Sequence, residues 1–244
     1  MARAVKNFTT IESVYGNLIV NRHCAYQADV LIKTGFPHIQ FELMKILTII
    51  NRLPEHCVVV DAGANIGLVA IPIAQAVAAR GGTVLAFEVQ RMLFYALCGS
   101  AALNDLANLH AFNLGLGSGV GQIHAPQIDY SHPQDFGEIS LAHPNPGAPG
   151  EVVTIMSIDS LNLNRLDFLK IDVEGMEPDI LRGARDSIAK YQPWCWVEYR
   201  QVGIEPIKAN FPGQNYRFFP MDPLNMLCAP AEKLEHFAID GCEV

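Results

Sequence analysis

Val58-Val59-Val60-Asp61-Ala62-Gly63-Ala64-Asn65-Ile66-Gly67 decides the fold. The run Cys57–Val60 is short, apolar and β-branched, and Asp61 ends it. A glycine turn follows, and Leu68–Ala79 then has the composition of a buried helix, stopped by Gly81-Gly82. Strand, tight turn and helix in this order build the ligand edge of α/β sheets. The glycines are spaced as GxxxG rather than GxGxxG. A dinucleotide pyrophosphate needs glycine where Ala64 stands, because a Cβ there blocks the phosphate, so NAD and FAD are disfavoured. No GxxxxGK[ST] occurs, which excludes a P-loop. A ligand without phosphates passes over such a turn, and a branched Cβ at Gly63 would then stand in its path. The same residues also suit a turn that needs glycine for its backbone alone.

Outward from this stretch, strands and helices alternate. Strands are expected at Thr83–Phe87, Leu109–Leu114, Phe168–Ile171 and Trp194–Tyr199. Helices are expected at Met92–Leu103 and near Pro178–Arg182. Strands apolar on both faces predict an α/β fold whose parallel sheet is covered on both sides. Before the alternation, Phe41–Leu53 reads as a helix, with Phe41, Met44, Ile46, Leu47 and Ile50 at helical spacing and Pro54 ending it. Residues 1–40 have little periodicity and read as an extension or lid. Residues 115–150 carry four glycines in their first seven positions and many prolines, and read as a loop-rich insertion. Tyr216–Phe219 and Asn225–Cys228, split by Met221-Asp222-Pro223, suggest a closing antiparallel pair. No repeat or linker interrupts residues 1–244, so a single domain is expected.

Composition narrows the function. Of 244 residues 50% are apolar and 17% charged, enough for a full core. Seventeen basic against 25 acidic residues give a net charge of −8, a poor match to a nucleic-acid backbone. Six cysteines form no CxxC pair, which argues against zinc and for reduced thiols in a cytoplasmic protein. The N-terminal residues lack the apolar run of a signal peptide. Residues 58–79 approach the length of a membrane span, but Asp61 inside one would cost ~2.5–3.5 kcal/mol. No membrane association is expected.

Two further stretches carry chemistry. Glu88 ends Val84-Leu85-Ala86-Phe87-Glu88, about where an acid from the second strand reaches a ribose. It also suits a solvated strand end. In Asp167-Phe168-Leu169-Lys170-Ile171-Asp172-Val173-Glu174-Gly175, strand alternation puts Lys170 and Asp172 on one face, with Glu174 joining if the strand continues. A lysine in an apolar strand needs a partner, so a structural Lys170–Asp172 pair and a catalytic cluster both fit.

VVVDAGANIG, Phe87-Glu88, FLKIDVEGMEPDILRGA and Trp196-Val197-Glu198 together resemble the FkbM-type S-adenosylmethionine-dependent methyltransferases, over roughly residues 40–230. The family usually has proline after its second-strand glutamate, where this chain has Val89. The resemblance implies a Rossmann-like seven-stranded sheet of order 3-2-1-4-5-7-6. It implies that Asp61, Gly63, Asn65 and Gly67 hold the methionine part of S-adenosylmethionine and that Glu88 holds the ribose. Asn113 is a candidate near adenine, or a turn asparagine before Gly115. That strand order sets Asp61, Asp172 and Glu198 at the ends of neighbouring strands, a row suited to a sulfonium cation in which crowding raises one carboxyl pKa.

The reaction implied is O-methylation of a hydroxyl on a small-molecule or glycan acceptor. Asp172 is the first choice for the base or orienting group and Glu174 the second, with Lys170 beside them and His143 as a loop alternative. Asp172, Glu174 and a loop histidine offer hard ligands to Mg²⁺, although no ligand spacing demands a metal. Residues 1–40 and 115–150 are expected to read the acceptor. The rival readings are a non-catalytic cofactor-binding protein and an NAD-dependent oxidoreductase.

Overall fold

The computed structural model describes residues 6–137, 149–211, 213 and 215–234. The chain opens with a hairpin, β1 (Phe8–Ser13) and β2 (Gly16–Asn21), followed by α1 (Ala25–Thr34) and α2 (Gln40–Ile50). This stretch is therefore not an extension. Leu18, Val20 and Leu31 are buried in the core, and two backbone N–H groups of β2 are met by a later helix. Asn17 N donates to Asn104 Oδ1 (2.9 Å) and Ile19 N to Ser100 Oγ (2.8 Å). The apolar stripe of α2 also differs from expectation. Leu43, Ile46, Ile49 and Ile50 are buried, whereas Phe41 is 84% exposed and Met44 also faces outward.

The alternating region gives β3 (Val58–Ala62), α3 (Ala70–Ala78), β4 (Thr83–Phe87), α4 (Arg91–Leu103) and β5 (Leu109–Phe112). Next come β6 (Gly115–Leu116), β7 (Gly121–Pro126) and β8 (Gly150–Met156). They form a separate three-stranded sheet of order β6-β8-β7, so 115–150 is more than loop. His143 lies outside the described residues. The chain continues with β9 (Phe168–Ile171), α5 (Glu177–Arg182), α6 (Arg185–Tyr191) and β10 (Trp194–Glu198). It closes with α7 (Ile204–Lys208), β11 (Tyr216–Pro220) and β12 (Asn225–Pro230).

The main sheet has seven strands in the order β11-β12-β10-β9-β3-β4-β5, the implied order once its strands are counted along the chain. The five strands from β5 to β10 run parallel, and β12 runs antiparallel to both its neighbours. Alternation divides the side chains between two cores. Val59, Phe168 and Trp196 pack under α2, α3, α4 and the N-terminal hairpin. Val60, Leu169 and Val197 pack under α5, α6 and α7. Each such side chain contributes ~1.5–3 kcal/mol by leaving water. Among the described residues no helix is long and apolar enough to cross a membrane.

Candidate active site

Connections from β3 run outward to β4 and β5, then return to the other side of β3 as β9. Such a switch point leaves a crevice at the carboxyl ends of the strands. Here it opens into a cavity of about 570 Å³ lined by Gly63, Ala64, Asn65, Glu88, Lys170 and Asp172. Tyr26, His38, Phe41 and Glu42 close one side, and Ile123 and Ile155 of the small sheet form part of another.

The turn after β3 is tied to β4 by its backbone: Gly63 N and Ala64 N both donate to Phe87 O (3.0 and 2.9 Å). Gly63 has φ 78°, and a Cβ there would lie 1.9 Å from the carbonyl oxygen of Asp172. The close neighbour of such a Cβ is thus the chain just past β9, a contact that sequence reading did not anticipate. Asn65, at φ 50°, donates its N–H to Glu88 Oε2 (2.8 Å) and accepts from Ile66 N at Oδ1 (2.8 Å). Asparagine tolerates this left-handed conformation better than most residues. Gly67 does not line the cavity; a Cβ there would press on Leu97 and Ile71 at 2.7 and 2.9 Å.

Glu88 sits at the cavity wall with both oxygens aligned by backbone. Oε2 accepts from Asn65 N, and Oε1 accepts from Gln90 N (2.7 Å). Burial pushes its carboxyl up to about 7. The turn beyond it, at Val89, is held by Asn113, whose side-chain N–H groups donate to Glu88 O (2.8 Å) and Val89 O (3.0 Å). Asn113 thus sits beneath the turn, outside the cavity lining.

Lys170 is 3% exposed. Its Nζ donates to Gly63 O (3.1 Å) and pairs with Asp61 Oδ1 (3.3 Å) and Asp172 Oδ2 (3.2 Å). Burial opposes the ammonium, but Asp172, Asp61 and Glu42 outweigh it and hold the pKa above that of an ordinary lysine. Asp61 lies inside β3 rather than at its end, in register with Lys170, fully buried and outside the cavity lining. Burial raises its carboxyl, and Lys170 counters part of that rise. The expected row of three carboxylates is therefore split. Asp61 is sealed behind Lys170, while Asp172, with its side chain 41% exposed, and Glu198 face the cavity.

Around Asp172 the loop is shaped by carboxylates. Glu177 Oε1 accepts from Gly175 N (3.1 Å) and Val173 N (3.4 Å), which bends the chain so that Glu174 adopts φ 57°. The Gln201 side chain donates to Glu174 Oε2. Glu198 is raised to about 8, first by burial and then by Asp172, Glu174 and Glu177. Sequence reading missed Glu42, which reaches the cavity from α2 and accepts from Trp196 Nε1 (3.1 Å). Burial pushes it up to about 7. The available signal was its standing as the one acid in a mostly apolar helix.

These raised carboxyls set a pH dependence. Glu42 and Glu88 move from 4.5 to about 7 on folding, so the folded chain keeps protons that the unfolded chain has lost in that window. Their contribution to stability is thus expected to fall as pH rises from about 4.5 to about 7. Lys170 faces both carboxyls and opposes the shift; Asp172 and Asp222 near Glu42, and Asp61 near Glu88, reinforce it. Denaturant unfolding of Glu42→Gln and wild type at two pH values checks this. The variant's pH slope should be smaller, and an unchanged slope would rule out Glu42 as a source.

The sheet order, the glycine turn at its switch point and the strand-end acid are those of the class I S-adenosylmethionine-dependent methyltransferase fold. Residues 61–218 match the Methyltransferase FkbM domain, and the chain belongs to that family. Among solved structures it is similar to the FkbM methyltransferase of Methylobacillus flagellatus, at 16% identity and a TM-score of 0.51, over 86% of this chain and 55% of that one. This chain thus spans little more than half that protein's length. It is also similar to a putative rRNA methylase of Clostridium thermocellum, at 11% identity and a TM-score of 0.50, over 78% of this chain and 93% of that one. No curated protein matches the sequence.

Proposed function

We propose that the protein transfers a methyl group from S-adenosylmethionine to a hydroxyl of a small-molecule or glycan acceptor. Glu88 carries this reading. Its two oxygens are oriented by Asn65 and Gln90 N–H groups at the wall of a cavity within the ~300–1,000 Å³ range of small-molecule sites. Each oxygen keeps a lone pair for a ribose hydroxyl. The backbone of Gly63–Asn65 would meet the amino-acid end, and the surplus of acids over bases in the lining suits a sulfonium. When bound, the cofactor supplies an already activated methyl group. What is left to the protein is alignment of the acceptor oxygen and removal of its proton. Asp172 is assigned to that task, with Lys170 fixing its carboxylate. Tyr26, His38 and Phe41 would bound the acceptor from the N-terminal segment.

The acids at the cavity also favour a small acceptor over a nucleic acid. Asp135, Asp172, Glu174 and Asp222 in the lining, against Lys170 and Arg200, would repel a phosphate backbone. Calorimetry with S-adenosylmethionine, S-adenosylhomocysteine and NAD tests the cofactor. Heat from NAD alone would reverse the reading. Glu88→Ala is expected to weaken S-adenosylmethionine binding about tenfold to a hundredfold, equivalent to about 1.5–3 kcal/mol. Because the mutation also frees two backbone N–H groups, melting curves accompany the titration. An unchanged dissociation constant in a folded variant would remove Glu88 from the site.

A further inference from the structure

We infer that Asp172, Glu174 and Glu198 form a binding site for one hard divalent cation, of the Ca²⁺ or Mn²⁺ type, on the wall of the cavity formed by the ends of β9 and β10. The two strands are parallel neighbours with Ile171 beside Val197, so the next residues, Asp172 and Glu198, emerge side by side. Glu174 folds back toward them. Each of the three offers one carboxylate oxygen, and these oxygens all lie within 4.8 Å of one another. That spread fits inside an oxygen shell whose metal–ligand bonds are about 2.4 Å, hence about 4.8 Å across. Carboxylate oxygens without sulfur or imidazole select Ca²⁺, Mg²⁺ or Mn²⁺ over softer metals.

A second observation separates this cluster from an ordinary acidic patch. Glu198 is 8% exposed, and its Oε2 is buried with no hydrogen-bond partner among the described residues. Buried carboxylate oxygens almost always have a donor, and an orphan needs a physical reason. Lys170 serves Asp61, Asp172 and Gly63 O, the Gln201 amide serves Glu174, and Arg200 acts on Glu198 through its charge without donating to Oε2. A cation bound by the three carboxylates supplies the missing partner to Oε2 and offsets their mutual repulsion. Its remaining positions open on the cavity, where water or acceptor hydroxyl oxygens can fill them. The inference stands apart from the methyl-transfer reading, because cation binding is measured with neither cofactor nor acceptor present.

The test is a Mn²⁺ titration of EDTA-stripped full-length protein, with free Mn²⁺ read by electron paramagnetic resonance and Ca²⁺ as competitor. One Mn²⁺ per chain is expected, displaced by Ca²⁺, with a dissociation constant at or below ~10⁻³ M, the weak end of protein Ca²⁺ sites. Glu198→Gln is nearly isosteric and should weaken binding at least about tenfold, while the exposed Glu12→Gln leaves it unchanged. The melting temperature should rise with cation in wild type and not in Glu198→Gln. Should Glu198→Gln fail to fold, Glu174→Gln takes its place with the same expectation. No saturable Mn²⁺ binding up to roughly ten times that weak limit, or equal binding by wild type and the folded variant, overturns the site. S-adenosylhomocysteine binding on the same preparations reports separately on the methyltransferase reading.

Discussion

Asp172→Asn is expected to lower turnover about 10²–10⁴-fold, the range over which a positioned general base acts. The substitution keeps size and removes the oxygen that takes a proton from the acceptor hydroxyl. Its stability should hold, and the structure supplies the reason. Removing one partner of a buried ion pair destabilises by ~3–5 kcal/mol when it leaves the other charge uncompensated. Lys170 is not left so, because Asp61 lies 3.3 Å from its Nζ and Gly63 O accepts from it at 3.1 Å. Asp172 is moreover the half-exposed member of the group. Loss of turnover with an almost unchanged melting temperature would therefore indicate a role toward substrate if wild-type turnover survives a chelator, and a role toward the cation if a chelator abolishes it and Mg²⁺ or Mn²⁺ restores it. A large fall in melting temperature would identify a structural partner of Lys170. Release of S-adenosylhomocysteine across a panel of hydroxylated sugars and metabolites finds the acceptor, and the rate is then measured at saturating cofactor. Wild-type turnover by the variant would pass the assignment to Glu174 or Glu198.

Gly63→Ala is expected to destabilise the fold by about 2–5 kcal/mol. Of this, ~1–2 kcal/mol comes from placing a side chain in the left-handed region, and ~1–3 kcal/mol from overpacking. Overpacking arises because the new Cβ would lie 1.9 Å from Asp172 O, a backbone atom that cannot turn aside. At about 2–4 °C per kcal/mol for a chain of this size, the melting temperature should drop by roughly 4–20 °C. Gly35→Ala is the internal control. Its φ of 72° is similar, but nothing lies within 4 Å of its Cβ, so it should show the conformational cost alone. Thermal unfolding of both variants measures the difference. Equal losses would mean that the two loops separate without cost.

The origin of that glycine marks the limit of sequence reading. A turn between a buried strand and a helix announces its glycine locally, but what presses against it belongs to a strand end more than a hundred residues later. The buried strands were legible for a similar local reason. Thr83–Phe87 and Phe168–Ile171 occur at the expected bounds because a strand covered on both faces must be a short apolar run closed by turn residues. The N-terminal hairpin was not legible. Its strands are six residues each and mix Thr, Asn and Glu with apolar residues, and the groups that complete it, Ser100 and Asn104, belong to α4 and its end.

The site divides in the same way. Glu88 and Asp172 could be found from sequence because each follows an apolar strand, and strand ends meet at one sheet edge, whereas Glu198 entered through the family resemblance. Phe41 shows the reverse case, since its helical spacing matched the apolar face but its side chain stands out at the cavity. Sequence alone determined the sheet, its turn and the acids at its edge, because strand periodicity and turn chemistry are local. The tertiary structure alone decided that Asp61 is sealed behind Lys170, that Glu42 reaches Trp196 and that Glu198 keeps a buried oxygen without a donor among the described residues. Burial and charge pairing are set by which distant elements come to lie against a residue, and no window of sequence contains both sides of such a contact.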